Sequence, residues 1–282
     1  MLTDAYLNRL DALRLAMKHP AQGGAGGARR SRSLGSSAEF SDFREYVPGD
    51  DVRRLDWNAY ARFDKLFMKL FTEEQESSVT ILMDGSASMQ SKREDAIKAA
   101  EALGYLALCG GDRLRVIWLS AGRAELSPVC AGRRAYPQLA GFVKEHAFEG
   151  PTDLTACVKK IEAMPRGMCF LISDGYQPEG LGQVLDLLRY RRQETALVQP
   201  LSAFEMEPAL EGAVRLKDAE GAPDMEILAD GAALRQYQET LQGFLRECRG
   251  TCHSRGTGYL LLDGRKPFED AFLPALSGAQ MI

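Results

Sequence analysis

Val79-Thr-Ile-Leu-Met-Asp84 is a short apolar run that continues directly into Gly85-Ser-Ala-Ser-Met89. A run of this length and composition is typical of a buried strand. The oxygen-bearing side chains of Asp84, Ser86 and Ser88 follow on alternate residues at its carboxyl end. Open α/β sheets bind ligands beyond the carboxyl ends of their strands. The stretch therefore predicts a strand that ends in a loop suited to a hard divalent cation.

From residue 78 onward, strand-like apolar runs alternate with helix-like segments. Strands are predicted over 78–83, 113–119, 169–172, 196–201 and 258–262, and helices over 93–108, 134–146, 154–164, 181–192 and 234–248. This alternation predicts an α/β fold with a doubly wound, mostly parallel sheet that helices cover on both faces. A domain with this sheet is expected over 76–263, with a short β insertion at about 205–230 and a C-terminal tail over 264–282.

The residues before this domain are organised differently. Tyr6, Leu10, Leu13 and Met17 recur with helical spacing and predict an amphipathic helix over 1–20. The glycine-rich run that follows lacks the lysine of a phosphate-binding loop, so a flexible Gly/Arg-rich linker is expected over 21–34. The alternative for its arginines is contact with an acidic partner surface.

A charged and aromatic block occupies the segment 35–75, for which we predict a β-rich structure. Val47-Pro-Gly-Asp50 is a turn signal, and alternation over 66–72 predicts a strand. An ion-pair network is expected here, with a ligand site as the alternative. Its candidate members are Arg53, Arg54, Asp50, Asp51 and Asp56.

The composition limits the classes of function. The 282 residues are 45% hydrophobic and 26% charged, and the net charge of −4 argues against nucleic acid as a partner. No apolar run reaches the roughly 18–20 residues of a membrane span, and the N-terminal residues do not resemble a signal peptide. The six cysteines are expected to be reduced thiols, with a zinc site at Cys248, Cys252 and His253 as the weaker alternative. These features predict a cytoplasmic protein.

Two further loops carry oxygen ligands. Thr152 precedes a predicted helix, and Asp174 ends a predicted strand. In a doubly wound sheet these loops and the loop after Asp84 lie along one edge, because parallel strands end on the same side. An all-oxygen set of this kind suits Mg²⁺, or alternatively Mn²⁺ or Ca²⁺. The simpler alternative is helix capping, for which Ser91 and Asp153 are candidates.

The D-x-S-x-S loop, the later threonine and the later aspartate resemble the metal-ion-dependent adhesion site of von Willebrand factor A domains. The resemblance implies that the metal is held by Asp84, Ser86, Ser88, Thr152 and Asp174. The block from Phe43 to Trp57 resembles the signature of the bacterial "domain of unknown function 58" family, which carries a von Willebrand A-like domain. That family is often encoded beside AAA+ ATPases of the MoxR type.

The resemblance implies a non-enzymatic, metal-dependent protein-interaction module. Its expected partner offers an acidic side chain and is a MoxR-type AAA+ ATPase or a client of that ATPase. Two alternatives stay open: a metal-dependent phosphohydrolase, and a structural domain with a vestigial metal site. Ser86 occupies the position where the haloacid-dehalogenase type of phosphohydrolase has a second aspartate, which disfavours the enzyme. Lys92, which follows the loop, is expected to be exposed.

Overall fold

The structure is a computed structural model, and it describes residues 2–18, 38–47, 50, 55–63, 65–73, 78–176, 178–221 and 223–278. The chain divides into two compact units, Ala21–Glu76 and a larger unit of Met1–Pro20 with Ser77–Ile282. The predicted linker over 21–34 lies outside the described residues, and so do Asp51, Arg53 and Arg54 of the predicted ion-pair network. 

The helices and strands follow in chain order. They are α1 (Asp4–Lys18), β1 (Ala38–Glu45), α2 (Trp57–Phe63), β2 (Phe67–Glu73), β3 (Ser78–Asp84), α3 (Arg93–Gly110), β4 (Arg113–Ser120), β5 (Arg123–Leu126), β6 (Cys130–Ala131), α4 (Tyr136–Glu145), α5 (Leu154–Lys159), β7 (Gly167–Ile172), α6 (Pro178–Tyr190), β8 (Gln193–Ser202), α7 (Ala203–Met206), β9 (Gly212–Leu216), β10 (Met225–Ala229), α8 (Gly231–His253), β11 (Gly258–Gly264) and α9 (Phe268–Gly278). No helix among these residues is both long and apolar enough to cross a membrane.

The smaller unit contains an antiparallel pair of strands, β1 and β2, with a register shift between Phe40 and Asp42. Helix α2 precedes β2. Asp56 stands just before α2, and its carboxylate accepts a hydrogen bond from the Ala59 N–H at 3.1 Å. This bond satisfies one of the backbone donors that a helix leaves unpaired at its start.

The larger unit is built on a seven-stranded sheet with the order β11-β8-β7-β3-β4-β5, in which β6 also pairs with β4. The strands from β11 to β4 are parallel, and β5 and β6 are antiparallel to β4. The predicted doubly wound, mostly parallel sheet is therefore confirmed. Strand β4 lies beside β3 on one side, and β7, which comes later in the chain, lies beside β3 on the other. The strand order therefore reverses between β3 and β7.

Helices bury both faces of this sheet, and the side chains of β3 show how. Ile81 and Met83 pack into a core with residues of α1, α3, α4 and α9. Leu82 points to the opposite face and packs with residues of α5, α6 and α8. Successive strand residues face opposite sides, so a strand buried on both sides has the continuous apolar sequence seen here.

Two terminal helices, α1 and α9, complete the first of these cores. Tyr6 and Leu10 of α1 are fully buried, and the Tyr6 ring lies 5.9 Å from the ring of Phe268 in α9. The backbone N–H of Leu2 donates to the carboxylate of Glu101 at 3.0 Å. Helix α9 lies within 264–282, which the sequence predicted to be a tail, and its Phe272 is fully buried.

Helix α5 is shorter than predicted and ends at Lys159 instead of residue 164. Pro165 disfavours a helical conformation at the residue before it. The Arg191 guanidinium also donates to the carbonyl oxygens of Ile161 at 2.6 Å and Lys159 at 3.3 Å. These bonds satisfy carbonyl groups that a continuing helix would otherwise use.

Candidate functional site

The five residues singled out by the sequence lie together. Asp84, Ser86, Ser88, Thr152 and Asp174 all line one cavity of about 400 Å³. The cavity lies at the carboxyl ends of β3 and β7, where the strand order of the sheet reverses. Ligands in open α/β sheets bind at such a reversal. The tertiary structure thus brings the five residues to one place, while their binding of a metal stays a prediction.

The loop after β3 depends on glycine at position 85. A Cβ atom there would lie 2.3 Å from the Trp118 Nε1 and 2.9 Å from the Leu119 carbonyl oxygen. The Gly85 N–H donates to that same Leu119 oxygen at 2.7 Å. Only glycine lets the loop approach β4 this closely, so the residue between Asp84 and Ser86 is set by packing.

Two backbone hydrogen bonds connect this loop to the one that carries Thr152. The Ala87 N–H donates to Gly150 at 2.8 Å, and the Glu149 N–H donates to Gly85 at 2.9 Å. They place Thr152, which is buried, beside the loop after β3. Asp153 caps α5 by accepting from the Ala156 N–H at 2.9 Å.

Asp84 is a buried carboxylate with two hydrogen-bond donors. Its Oδ1 accepts from the Ser86 N–H at 3.0 Å, and its Oδ2 accepts from the Ser173 hydroxyl at 2.7 Å. Burial, followed by the charge of Asp174, raises the pKa of Asp84 to about 6. Both causes act against the ionised form, and a bound cation would favour it.

Asp174 lies on the other side of the strand reversal and is equally well held. Its Oδ1 accepts from the Tyr176 N–H at 3.3 Å, and its carbonyl oxygen accepts from the Gln199 side chain at 2.5 Å. Its Oδ2 lies 2.7 Å from the Nζ of Lys92. Gly175 has a φ of +71°, a conformation that a glycine adopts without strain.

Lys92 is the main departure from the sequence prediction. It was expected to be exposed, but it is 3% exposed. Its ammonium donates to the Ser88 carbonyl at 2.8 Å and forms ion pairs with Asp174 at 2.7 Å and Glu205 at 2.6 Å. An ammonium has three N–H donors, and these three acceptors match that number. The burial is possible because two carboxylates compensate the charge.

Glu205 holds the far side of this ammonium. It belongs to a capping box with Ser202 at the start of α7, and its carboxylate also accepts from the Tyr176 hydroxyl at 2.8 Å. Burial acts to raise the pKa of Glu205, but the Lys92 ammonium and the Ser202 hydrogen bonds outweigh it and lower the pKa.

Four residues at the site were not predicted from the sequence: Lys92, Ser173, Tyr176 and Glu205. Glu205 had a sequence signal, because Ser202-x-x-Glu205 is a capping box directly after a predicted strand. That strand ends at the same edge of the sheet as β3 and β7. Nothing in the sequence pattern around Lys92 indicated that its side chain turns inward.

The β9–β10 hairpin also reaches the cavity. Asp218, Ala219 and Glu220, in the connection between its strands, line the cavity with the five predicted residues. Leu216 pairs with Met225 at the base of this connection. The insertion predicted at about 205–230 therefore adds two carboxylates to the surroundings of the site.

The five predicted residues offer only oxygen atoms, from two carboxylates and three hydroxyls. Within the described ranges, His, Cys, Asp and Glu form no cluster of three or more that would hold a metal by themselves. The set therefore depends on its hydroxyls, and oxygen-only donors suit a hard cation. The capping alternative applies to Asp153, whereas α3 begins after Lys92 with no side-chain cap.

Comparisons with known proteins identify relatives over most of the chain. The uncharacterized protein Rv1480 of Mycobacterium tuberculosis is 27% identical over 274 residues, which cover 91% of this chain and 83% of that protein. The matching protein of Mycobacterium bovis, Mb1516, has the same identity and coverage.

Solved structures give weaker similarities, and the family assignment comes from the sequence. BatB from Bacteroides thetaiotaomicron is 14% identical, with a TM-score of 0.42 over 72% of this chain and 98% of that one. The SpRpn10 VWA domain is 8% identical, with a TM-score of 0.38 over 69% and 93%. With both TM-scores below 0.5, the fold rests on this chain's own strand order. The family described as "protein of unknown function DUF58" matches residues 42–243, more than half of the chain, and the chain belongs to that family.

Proposed function

We propose that this protein is a metal-dependent protein-interaction module without catalytic activity of its own. The observation that carries the proposal is the convergence of Asp84, Ser86, Ser88, Thr152 and Asp174 on one cavity. Three separate loops supply these residues, and the cavity lies where the strand order reverses. Independent helix caps have no reason to meet at one cavity.

The donor set fits a hard divalent cation such as Mg²⁺, or alternatively Mn²⁺ or Ca²⁺. Ser86, Ser88 and Thr152 would supply neutral oxygens, and Asp84 and Asp174 would supply charge. When bound, the ion would offer a Lewis-acidic position to a carboxylate from outside. Three of the five donors are neutral and do not offset the charge of the ion. The ion therefore keeps an affinity for a further carboxylate oxygen.

The partner in this proposal is a protein that presents an Asp or Glu side chain. The family resemblance supports a MoxR-type AAA+ ATPase, or a client of that ATPase, as this partner. The net charge of −4 is mild and does not favour nucleic acid. A cytoplasmic location accompanies the proposal as a prediction.

The phosphohydrolase alternative requires a second acidic group two residues after Asp84, the last residue of β3. Ser86 stands at that position and donates its N–H to Asp84. A phosphatase assay on the full chain separates the two functions. Turnover that disappears in Asp84→Asn would favour the enzyme.

The test of metal binding is thermal unfolding of the full chain with and without Mg²⁺. A ligand at about 100 times its dissociation constant stabilises the native state by roughly 2.7 kcal/mol. We expect this gain in the wild type and its loss in Asp84→Asn. Asp153→Asn is the matched control, since Asn caps helices as well as Asp does, and it should keep the gain.

The test of the interaction is binding of a purified MoxR-type ATPase to the immobilised full chain. Binding should require Mg²⁺ and should fall strongly in Asp84→Asn but not in Asp153→Asn. Binding that is equal in Mg²⁺ and in excess chelator would contradict the metal-dependent mechanism. No gain in stability with Mg²⁺, Mn²⁺ or Ca²⁺ would favour the vestigial site.

A further inference from the structure

The Lys92 ammonium lies inside the site, where the side chain of an exposed, flexible lysine would not lie. Its side chain is 1% exposed and contacts Asp174, Glu205 and the Ser88 carbonyl. Asp174 and Ser88 are also two of the five proposed metal-binding residues. The ammonium contacts Ser88 through its backbone carbonyl, whereas the metal would use its hydroxyl, so the group that both cations share is the Asp174 carboxylate.

The ring of Tyr176 adds a fourth contact to the ammonium. Its centroid lies 4.7 Å from the Lys92 Nζ, and its hydroxyl donates to Glu205. A cation over an aromatic face is attracted by the ring. The charge is thus surrounded on several sides by groups that favour it, and the ammonium is built into the site.

This lysine offsets part of the negative charge of the site. Asp84, Asp174 and Glu205 are three carboxylates, and Lys92 supplies one positive charge against them, which leaves a formal charge of −2 for these four groups. Without the ammonium the same groups would carry −3. A divalent cation is attracted more strongly by the second arrangement.

We infer that Lys92 competes with the divalent ion for the carboxylates of the site. This competition keeps the metal affinity of the site low. The ion pairs of Lys92 also keep the site folded when no metal is bound. The inference rests on the proposed metal site and assigns a regulating residue to it. Lys92 differs in this role from the five proposed ligand residues, because it does not bind the metal itself. Its effect is exerted through the charge of Asp174 and Glu205.

The inference predicts that removing the ammonium strengthens metal binding. Mn²⁺ binding to the full chain, measured by electron paramagnetic resonance, should become at least about tenfold tighter in Lys92→Met than in the wild type. Lys92→Arg retains the charge and should show no gain. The melting temperature of Lys92→Met should be lowered without metal and should rise more on Mn²⁺ addition than that of the wild type.

A matched control tests whether loss of any buried ion pair gives the same result. Lys144 pairs with the fully buried Glu101 at 3.1 Å, and neither residue lines the cavity. Lys144→Met should leave the Mn²⁺ affinity unchanged. Equal gains in Lys144→Met and Lys92→Met would overturn the inference.

A second variant covers the case in which Lys92→Met does not fold. The double variant Lys92→Met with Glu205→Gln removes one charge of each sign and leaves only Asp174 without its counter-charge. The net charge of the site is then the same as in the wild type, but Asp174 no longer shares its carboxylate with the ammonium, so this variant should also bind Mn²⁺ more tightly than the wild type. Glu205→Gln alone should bind more weakly, because Lys92 then serves Asp174 alone.

The outcomes separate this inference from the proposed function. Mn²⁺ affinities that are equal in the wild type and the Lys92 variants would overturn the competitor role and leave the metal site intact. Failure of the wild type and every variant to bind Mn²⁺ or Mg²⁺ would overturn both. Tighter binding in both Lys92→Met and the double variant, with no change in Lys92→Arg, supports the inference.

Discussion

The Ser173 hydroxyl donates a 2.7 Å hydrogen bond to the Asp84 carboxylate and so joins the end of β7 to the end of β3. The two strands are neighbours in the sheet, and the cavity is lined by Asp84, the last residue of β3, and by Ser173, the residue that follows β7. Both side chains are buried. Ser173 therefore fixes the orientation of the Asp84 carboxylate at the cavity.

Replacing Ser173 with Ala should weaken both the fold and metal binding. A buried carboxylate oxygen that loses its donor costs about 1–3 kcal/mol, and Asp84 would be less firmly oriented. Denaturant unfolding measures the first effect, and Mn²⁺ binding measures the second. Ser277→Ala, which removes an exposed hydroxyl bonded within α9, should change neither. A fully stable Ser173→Ala variant would contradict the importance of this bond.

Replacing Gly85 with Ala should displace the loop after β3. The new Cβ would clash with the Trp118 indole and the Leu119 carbonyl oxygen. Overpacking of this kind costs typically about 1–3 kcal/mol. The expected result is a lower melting temperature together with loss of the Mg²⁺-dependent stabilisation.

The control for this substitution is Gly243→Ala in α8, where a Cβ meets nothing within 4 Å. Alanine in place of an interior helical glycine should stabilise by about 0.5–1 kcal/mol. If Gly85→Ala behaves in the same way as Gly243→Ala, the close approach to β4 is not a constraint.

Replacing Glu205 with Gln should destabilise the protein in a pH-dependent manner. Removing one partner of a buried ion pair costs about 3–5 kcal/mol. The pKa of Glu205 is lowered in the folded state, so its contribution is fully present above the unfolded pKa, about 4.3. It is lost as the pH falls through the folded pKa.

The measurement is the free energy of unfolding of the wild type and Glu205→Gln across pH 3 to 8. The difference between them should be large at neutral pH and should shrink below about pH 4. A difference that does not change with pH would mean that packing of α7, not charge, explains the loss.

Neutralising the tip of the β9–β10 hairpin should weaken metal binding modestly. Asp218 and Glu220 line the cavity, and their charges attract a cation toward it. We expect Asp218→Asn with Glu220→Gln to lower the Mn²⁺ affinity by about two- to threefold at low salt, and less at high salt. Glu226→Gln, an exposed change on β10 away from the cavity, is the control. An unchanged affinity would mean that the hairpin charges do not act on the site.

Much of the architecture was predictable from local pattern. The apolar run before Asp84 and the helix-like segments around it predicted a mostly parallel, doubly wound sheet, because strands buried on both faces read as continuous apolar sequence. Asp84, Ser86, Ser88 and Asp174 were recognisable for the same reason, whereas Thr152, in the loop before α5, was assigned to the site through the family resemblance. Polar residues at the ends of such strands interrupt the apolar pattern abruptly.

Other features gave little local signal. Helix α9 was missed although Phe272 is buried, since its apolar residues follow a turn near the end of the chain. The short strands β5 and β6 pair with β4, and with four and two residues they are too short to give a periodic signal. Residue periodicity reports which face an element buries, and it does not report how distant segments pair.

The sequence by itself determined the fold class and the oxygen-bearing side chains at the cavity, because both follow from the order of residues within single strands and loops. Only the tertiary structure decided that Lys92 points inward to Asp174 and Glu205. Those carboxylates come from segments that are 82 and 113 positions away in the chain. A lysine is stable in the interior only where folding brings opposite charges to it, so its burial depends on contacts that no local pattern contains.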